Sequence, residues 1–198
     1  MDKDISLKKL RKKIEKVQTE KRFEHTVSVE YTAAALAMRY QESLLNARIA
    51  GILHDCAKCL GDEELISICK KNKLPLSDFE KKNPFLLHGR VGAFLAKTKY
   101  DIDDEDILNA VSFHTTGREN MSMLEKIIFV ADYIEPGRNK AVRLKEIREQ
   151  AFIDIDKAMI MILDDTLKYL EASGGDIDPM TETTRNYYVN LHKQEDEI

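Results

Sequence analysis

Apolar residues recur at helical spacing along almost the whole chain, and the strongest helix breakers stand between those stripes. In 198 residues there are eight glycines and four prolines, the prolines at positions 75, 84, 136 and 179. So few breakers leave long stretches free to be helical. Leu7, Leu10, Ile14 and Val17 form a first stripe, with Ser6 placed to cap it. Val29, Ala33, Leu36 and Tyr40 form a second, and Leu45, Ile49, Ile52 and Leu53 a third with Ser43 as its cap. Leu65, Ile66 and Cys69 mark a short helix. Pro84 can start another that carries Val91, Phe94 and Leu95. Ile107, Ala110 and Val111 follow, then Leu124, Ile127, Ile128 and Ala131. A long helix is expected from about Phe152 to Ser173, stopped by Gly174-Gly175, and a last one near Thr181 to His192. No alternating strand pattern, repeat or low-complexity linker interrupts the series. The expectation is an all-α helical bundle and a single domain over 1–198, with a core at about 20–135 on which helices at 152–192 pack.

Apolar residues make up 43% of the chain and charged residues 33%, which suits a soluble globular protein. The start, Met1-Asp2-Lys3-Asp4, lacks the apolar core of a signal peptide, and no apolar run is long enough for a membrane span. Three cysteines are an odd count for a disulfide framework. The expected location is therefore the cytoplasm, with no membrane partner. Net charge is −4, whereas nucleic-acid binding usually calls for a basic face. The one basic cluster, Lys8, Lys9, Arg11, Lys12, Lys13 and Lys16, reads as a solvated helix face, so no nucleic-acid partner is expected. Handling phosphates would then require local positive charge from metals or a few Lys and Arg.

Five histidines occur, and four fall on the apolar stripes. His25 precedes Val29 by four. His54 ends the Leu45–Leu53 stripe. His88 precedes Val91 by three, and His114 follows Val111 by three. Each side chain is expected on the core side of its helix. A single such histidine reads well as a buried ring satisfied by a backbone carbonyl. Four of them on four helices point elsewhere, because an unpaired buried polar group costs about 1–3 kcal/mol. Asp55 follows His54, and Asp132 lies within the apolar run Ile127–Ile134. A carboxylate there is costly unless paired or metal-bound, the alternative being a helix-end acid that faces solvent. At a helix end, adjacent His54 and Asp55 can both reach one site. An aspartate can bridge two cations while neutral imidazoles fill other positions. Four His and two Asp suit two metals better than one, and such a pair can activate water and clamp phosphate oxygens.

The ordered set His25, His54-Asp55 and Asp132 resembles the HD-domain superfamily of phosphohydrolases, and His88 and His114 resemble its binuclear branch. The flanking strings narrow the match: Arg22-Phe23-Glu24-His25-Thr26, His54-Asp55-Cys56-Ala57-Lys58, His88-Gly89, His114-Thr115-Thr116-Gly117-Arg118, and Met121-Ser122-x-Leu124 through Asp132-Tyr133-Ile134-Glu135-Pro136-x-Arg138. These resemble the YqeK-like family of bacterial symmetrical diadenosine tetraphosphatases, from about Leu7 to Asn190. Cys56 departs from it where an aromatic residue is expected.

The resemblance implies an HD-domain helical bundle that hydrolyses diadenosine tetraphosphate to two ADP. It implies two divalent metal ions, iron first, held by His25, His54, Asp55, His88, His114 and Asp132. Mn, Co, Ni and Zn suit the same ligands. It further implies that Asp55 bridges the metals and that a hydroxide between them attacks a central phosphorus in line. Lys58 and Arg138 would contact phosphate oxygens. Arg22, Ser28, His88, His114, Thr115, Thr181 and Arg185 are implied substrate contacts, with Asn186 near the last two, although Thr181, Arg185 and Asn186 read equally well as a solvated helix face. ADP leaves as a stable anion, so a general acid is dispensable. A homodimer is compatible with the family. Two other readings stay open: another HD enzyme acting on a mononucleotide, cyclic nucleotide or alarmone, and a nucleotide sensor without turnover. The pair Cys56 and Cys59 also invites a zinc or redox reading, but Cys69 is the one other thiol, and small core residues are the simpler account.

Overall fold

The structure, a computed structural model, describes residues 6–196; the start of the chain at Met1–Asp4 lies outside them. Eleven α-helices and one 3-10 turn occur among the described residues, and no strand. They are α1 (Leu7–Glu15), α2 (Glu20–Tyr40), α3 (Leu44–Leu53), α4 (Asp62–Lys71), α5 (Asp78–Lys82), α6 (His88–Lys99), α7 (Glu105–Phe113), α8 (Met123–Ile134), α9 (Leu144–Ala151), α10 (Ile155–Ser173) and α11 (Pro179–Asp196), with the 3-10 turn at Pro84–Leu87. Ser6 and Ser43 cap α1 and α3 through their side chains, as their placement before apolar runs predicts. Asp154 caps α10, so that helix starts three residues later than the apolar pattern suggests. The short helices α5 and α9 were not expected. Among the described residues no helix is long and apolar enough to cross a membrane.

At the centre lies α3, whose Ala47, Ile49, Ala50, Ile52 and Leu53 are all buried. Against it pack α2, α7 and α8, and one continuous apolar core joins these helices to α10 through Ile155, Ala158, Met159 and Ile162. The last helix, α11, lies against α10. Two stripe residues depart from expectation. Leu45 is 47% exposed in the first turn of α3, and Val17 lies past the end of α1. The basic cluster on α1 is solvent-facing at Lys8, Lys9, Lys12, Lys13 and Lys16. Arg11 is the exception: it turns inward and pairs with the buried Glu30 at 2.6 Å.

Candidate metal centre

Each site histidine stands where a helix can present it to the centre of the bundle. His54 is the C-cap of α3, after which the chain runs on as a chain of tight turns, with Cys56 N–H donating to Leu53 O, Lys58 N–H to Asp55 O and Leu60 N–H to Ala57 O. Past the end of α3 the chain is no longer bound to the regular helix, and Asp55 comes in beside His54, its Oδ2 3.5 Å from His54 Nε2. His88 opens α6 and His114 caps α7. Gly89 lets these two helices meet, since a Cβ there would stand 2.5 Å from Ser112 O. His25 lies inside α2 and Asp132 inside α8.

The six side chains converge. Their ligand atoms form two triads that share Asp55: His25, His54 and Asp55, and Asp55, His88 and His114. The two Asp55 oxygens face different halves. Oδ2 is 3.5 Å from His54 Nε2 and 3.9 Å from His25 Nε2, while Oδ1 is 3.4 Å from His88 Nε2 and 3.5 Å from His114 Nε2. Asp132 joins the first half, with Oδ1 at 3.1 Å from His25 Nε2. Asp132 is thus not a solvent-facing helix end; its side chain is 22% exposed and tied to His25 and Arg138.

Behind the rings, each Nδ1 faces an oxygen that can only accept: Gly51 O for His54 (2.7 Å), Phe85 O for His88 (2.6 Å), Val111 O for His114 (2.8 Å) and the Glu135 carboxylate for His25 (3.1 Å). The proton is therefore assigned to Nδ1, and every Nε2 lone pair points to the centre. There His25 and His54 stand 3.3 Å apart, and His88 and His114 3.1 Å apart, lone pair toward lone pair. Asp55 Oδ1, fully buried, has no hydrogen-bond partner. An orphaned carboxylate oxygen among four inward lone pairs is a donor set that divalent cations satisfy, and neutral imidazole with carboxylate is the ligand chemistry of first-row metals. The guanidiniums of Arg22 and Arg138, paired with Asp55 and Asp132, favour ionised acids, as ligands must be.

Cations ring this centre. Arg22 donates to Asp55 Oδ2 at 2.8 Å, and Arg138 to Asp132 Oδ1 at 2.6 Å. Lys58 Nζ lies 3.4 Å from His88 Nε2, its ammonium lowered from its ordinary value by burial against the pull of Asp55. The Thr115 hydroxyl is 3.2 Å from both His88 Nε2 and His114 Nε2. One groove includes a residue of the cluster, and a second borders it through Thr115. The first is lined by Lys21, Arg22, His25, Glu135 and Arg138, the second by Glu80, Arg90, Thr115, Thr116, Pro179 and Met180.

The remaining expected contacts fall elsewhere. Ser28, one turn beyond His25, lines an apolar groove with Tyr31, Ile134, Pro136, Arg148 and Phe152. Thr181 is buried on α11 next to Met180 of the second groove. Arg185 turns to Asp164 at 2.8 Å, in a groove with Lys168 and Asn186 that includes none of the six converging residues. His192, outside the constellation, stands 3.4 Å from Asp154 Oδ2. Cys56 and Cys69 are buried and Cys59 is exposed. All three are free, and the metal-capable groups among the described residues include none of them.

Sequence reasoning missed two residues that support the site. Gln18 donates to the Asp55 carbonyl at 3.0 Å and accepts from Thr26; nothing in the sequence marks it. Glu135 stands in the sequence only within the string that resembles the YqeK-like family, with no role assigned to it.

The family model "HD domain" matches residues 22–137, a span that contains His25, His54, Asp55, His88, His114 and Asp132. The chain belongs to the HD domain family. It is 40% identical over 172 residues to "Bis(5'-nucleosyl)-tetraphosphatase, symmetrical" of Bacillus subtilis, which covers 87% of this chain and 91% of that one. It is 33% identical over 186 residues to the protein of the same name from Staphylococcus aureus, covering 93% and 95% of the two chains. A crystal structure of a "predicted HD superfamily hydrolase involved in NAD metabolism" from Clostridium acetobutylicum has the same fold. Its TM-score is 0.91 at 46% identity, over 94% of this chain and 98% of that one.

Proposed function

We propose that this chain hydrolyses diadenosine tetraphosphate symmetrically to two ADP, at two divalent cations that share Asp55. The observation that carries the reading is the division of Asp55, one oxygen toward His25 and His54 and the other, without a hydrogen-bond partner, toward His88 and His114. One cation suits His25, His54, Asp132 and Asp55 Oδ2; the other suits His88, His114 and Asp55 Oδ1. Bound there, the pair supplies Lewis-acid charge to phosphate oxygens and a water nucleophile near neutral pH. Iron follows from the family resemblance, and Mn, Co, Ni and Zn share the ligand preference.

The chain's own residues do the rest. Lys58 and Arg138 stand on either side of the cluster and can each take a phosphate oxygen, Arg138 in a planar two-point contact. Arg22 can do the same once it is released from Asp55, and the Thr115 hydroxyl can donate to an oxygen over the second half. A groove that includes His25 on one side and one that comes to the cluster at Thr115 on the other suit a substrate with a nucleoside at each end, its central phosphates over Asp55. The departing ADP is a stable anion and needs no proton, so charge stabilisation carries most of the acceleration. The complete donor set weighs against a sensor that binds without turnover. The proposal includes a single domain over 1–198 and a cytoplasmic location, which three free cysteines suit.

The test is product analysis over a nucleotide panel with metal-reconstituted protein. Diadenosine tetraphosphate should give ADP alone. AMP with ATP, or no cleavage of the dinucleotide where another nucleotide is hydrolysed, overturns the substrate assignment. Full turnover in chelator, with only trace metal by elemental analysis, overturns the metal centre.

A further inference from the structure

Three of the four converging imidazoles are held from behind by main chain, and in each case by the carbonyl three residues earlier: Gly51 for His54, Phe85 for His88, Val111 for His114. All three histidines sit at a helix end or at the join of a 3-10 turn and a helix, where such carbonyls are free of the regular ladder. His25 lies inside α2, where the carbonyls of the preceding turn are already engaged by the helix. Its Nδ1 must find its acceptor outside its own helix. It finds the carboxylate of Glu135, 110 residues away in sequence, at 3.1 Å.

We propose that Glu135 is the positioning residue for His25: it fixes the tautomer and direction of that ring for its metal, and through the same carboxylate ties the ligand to the turn that carries Arg138. This rests on the metal reading above. A carboxylate behind a ligating histidine holds the ring and makes it a stronger donor than a carbonyl does.

The surroundings of Glu135 fit that task and no solvent-facing one. Its side chain is 4% exposed. It caps α8 in an extended conformation, which turns the side chain back across the helix end. The Gly137 N–H donates to Oε2. Arg138 Nε stands 3.7 Å from Oε1. Arg148 of α9 donates to the carbonyls of Ile134, Glu135 and Arg138 at 2.9, 2.8 and 3.0 Å, so the turn is clamped from outside. Gly137 makes the room: a Cβ there would stand 2.9 Å from Oε2 and 3.1 Å from Oε1. Adding that methyl can be relieved by swinging the carboxylate away, which leaves the helices in place and takes the acceptor from His25.

The experiment measures the affinity of each metal by chelator competition, with the melting temperature of the metal-free protein alongside. The set is wild type, Glu135→Ala, Glu135→Gln, Gly137→Ala, His25→Ala and His88→Ala. Glu135→Ala should weaken one metal about ten- to a hundredfold, as loss of an outer partner does, and leave the other unchanged. The weakened metal should be the one that His25→Ala abolishes, not the one that His88→Ala abolishes. Glu135→Gln retains one acceptor oxygen where His25 and the Gly137 N–H use two, so it should recover part of the loss. Gly137→Ala should weaken the same metal with little change in metal-free melting. Wild-type affinity for both metals in Glu135→Ala overturns the inference. So does a Glu135→Gln as damaged as Glu135→Ala with a lowered metal-free melting temperature, which would make the residue merely structural. If His25→Ala itself binds both metals normally, the metal reading fails and takes the inference with it.

Discussion

Glu30 and Asp55 are both buried carboxylates, at 0% and 2% exposure, on neighbouring parts of the α2–α3 pair, and their surroundings are opposite. Glu30 is fully partnered. Arg11 reaches both its oxygens at 2.6 and 2.7 Å, and Arg48 adds a third bond at 2.9 Å. The bond to Glu30 in turn raises the Arg11 guanidinium above its ordinary value, against the effect of burial. Asp55 has one guanidinium bond, from Arg22, and an oxygen with none, among four imidazoles whose protons face the other way. A buried acid whose partners all come from the protein joins helices. A buried acid left short among inward lone pairs awaits a ligand. Burial alone does not separate the two; the completeness of the partners does.

The largest expected effect breaks the comparison on the Asp55 side. An amide offers one acceptor oxygen and no charge, so Asp55→Asn cannot serve both halves of the centre. Turnover should fall to background and both metals should be lost, with helical circular dichroism near wild type. Wild-type turnover in Asp55→Ala would remove the shared-carboxylate reading. Next in size, His88→Ala and His114→Ala should each lose the metal of the second half and most activity, a loss beyond the 10–100-fold usual for an outer partner. His192→Ala, at a residue next to Asp154 and away from the centre, should leave metal content and turnover unchanged. Equal damage from all three would mean that the histidines serve folding.

On the Glu30 side the signature inverts. Glu30→Gln leaves Arg11 and Arg48 without their counter-charge. Because both guanidiniums are 27% exposed, the loss of stability should fall at the low end of the range for broken buried pairs, about 3 kcal/mol by denaturant unfolding. Turnover per folded molecule and metal content should hold. A Glu30→Gln that folds normally but loses metal would erase the distinction between the two acids.

That distinction was only half legible in the sequence. His54-Asp55 stood out because a helix stripe ends there, and four scarce histidines on separate stripes pointed to one centre. Glu30 gave no signal, since its partners Arg11 and Arg48 lie 19 and 18 residues away, and Arg11 reads as part of a solvated helix face. The long helices were readable because their apolar faces repeat over several turns. Of the two unforeseen helices, α9 offers just Leu144, Ile147 and Ala151 to the core, and α5 buries nothing fully, so neither carries enough period to be seen. Glu135 was hidden for a similar reason. Its role depends on the 110-residue separation from His25 closing in three dimensions, and local pattern does not encode that closure. Arg185 illustrates the reverse case: a position that matches the family in sequence, yet here bonded to Asp164.

The smallest of these effects sharpens the comparison instead of breaking it, because it concerns charges that belong to neither acid's complete shell. Lys58 and Arg138 border the centre, but neither can ligate a metal. Arg138 is 44% exposed and now shares its charge with Asp132, while Lys58 lies over His88 with its ammonium lowered by burial. If their task is to hold phosphate oxygens, Lys58→Ala and Arg138→Ala should leave both metals bound and the melting temperature near wild type. Each should forfeit one charge-assisted contact, about 1.5–3 kcal/mol. That corresponds to a loss of roughly one to two orders of magnitude in kcat/KM for diadenosine tetraphosphate. Arg138→Lys should recover part of it as a point charge but not the planar two-point contact. The partition between the constants is informative. A rise in KM alone assigns the residue to ground-state binding, while an equal fall in kcat and kcat/KM assigns it to charge that develops as the central phosphate bond breaks. Metal lost from Arg138→Ala would instead mean that the arginine's chief work is to hold Asp132 toward His25, and the phosphate role would pass to Arg22 and Lys58.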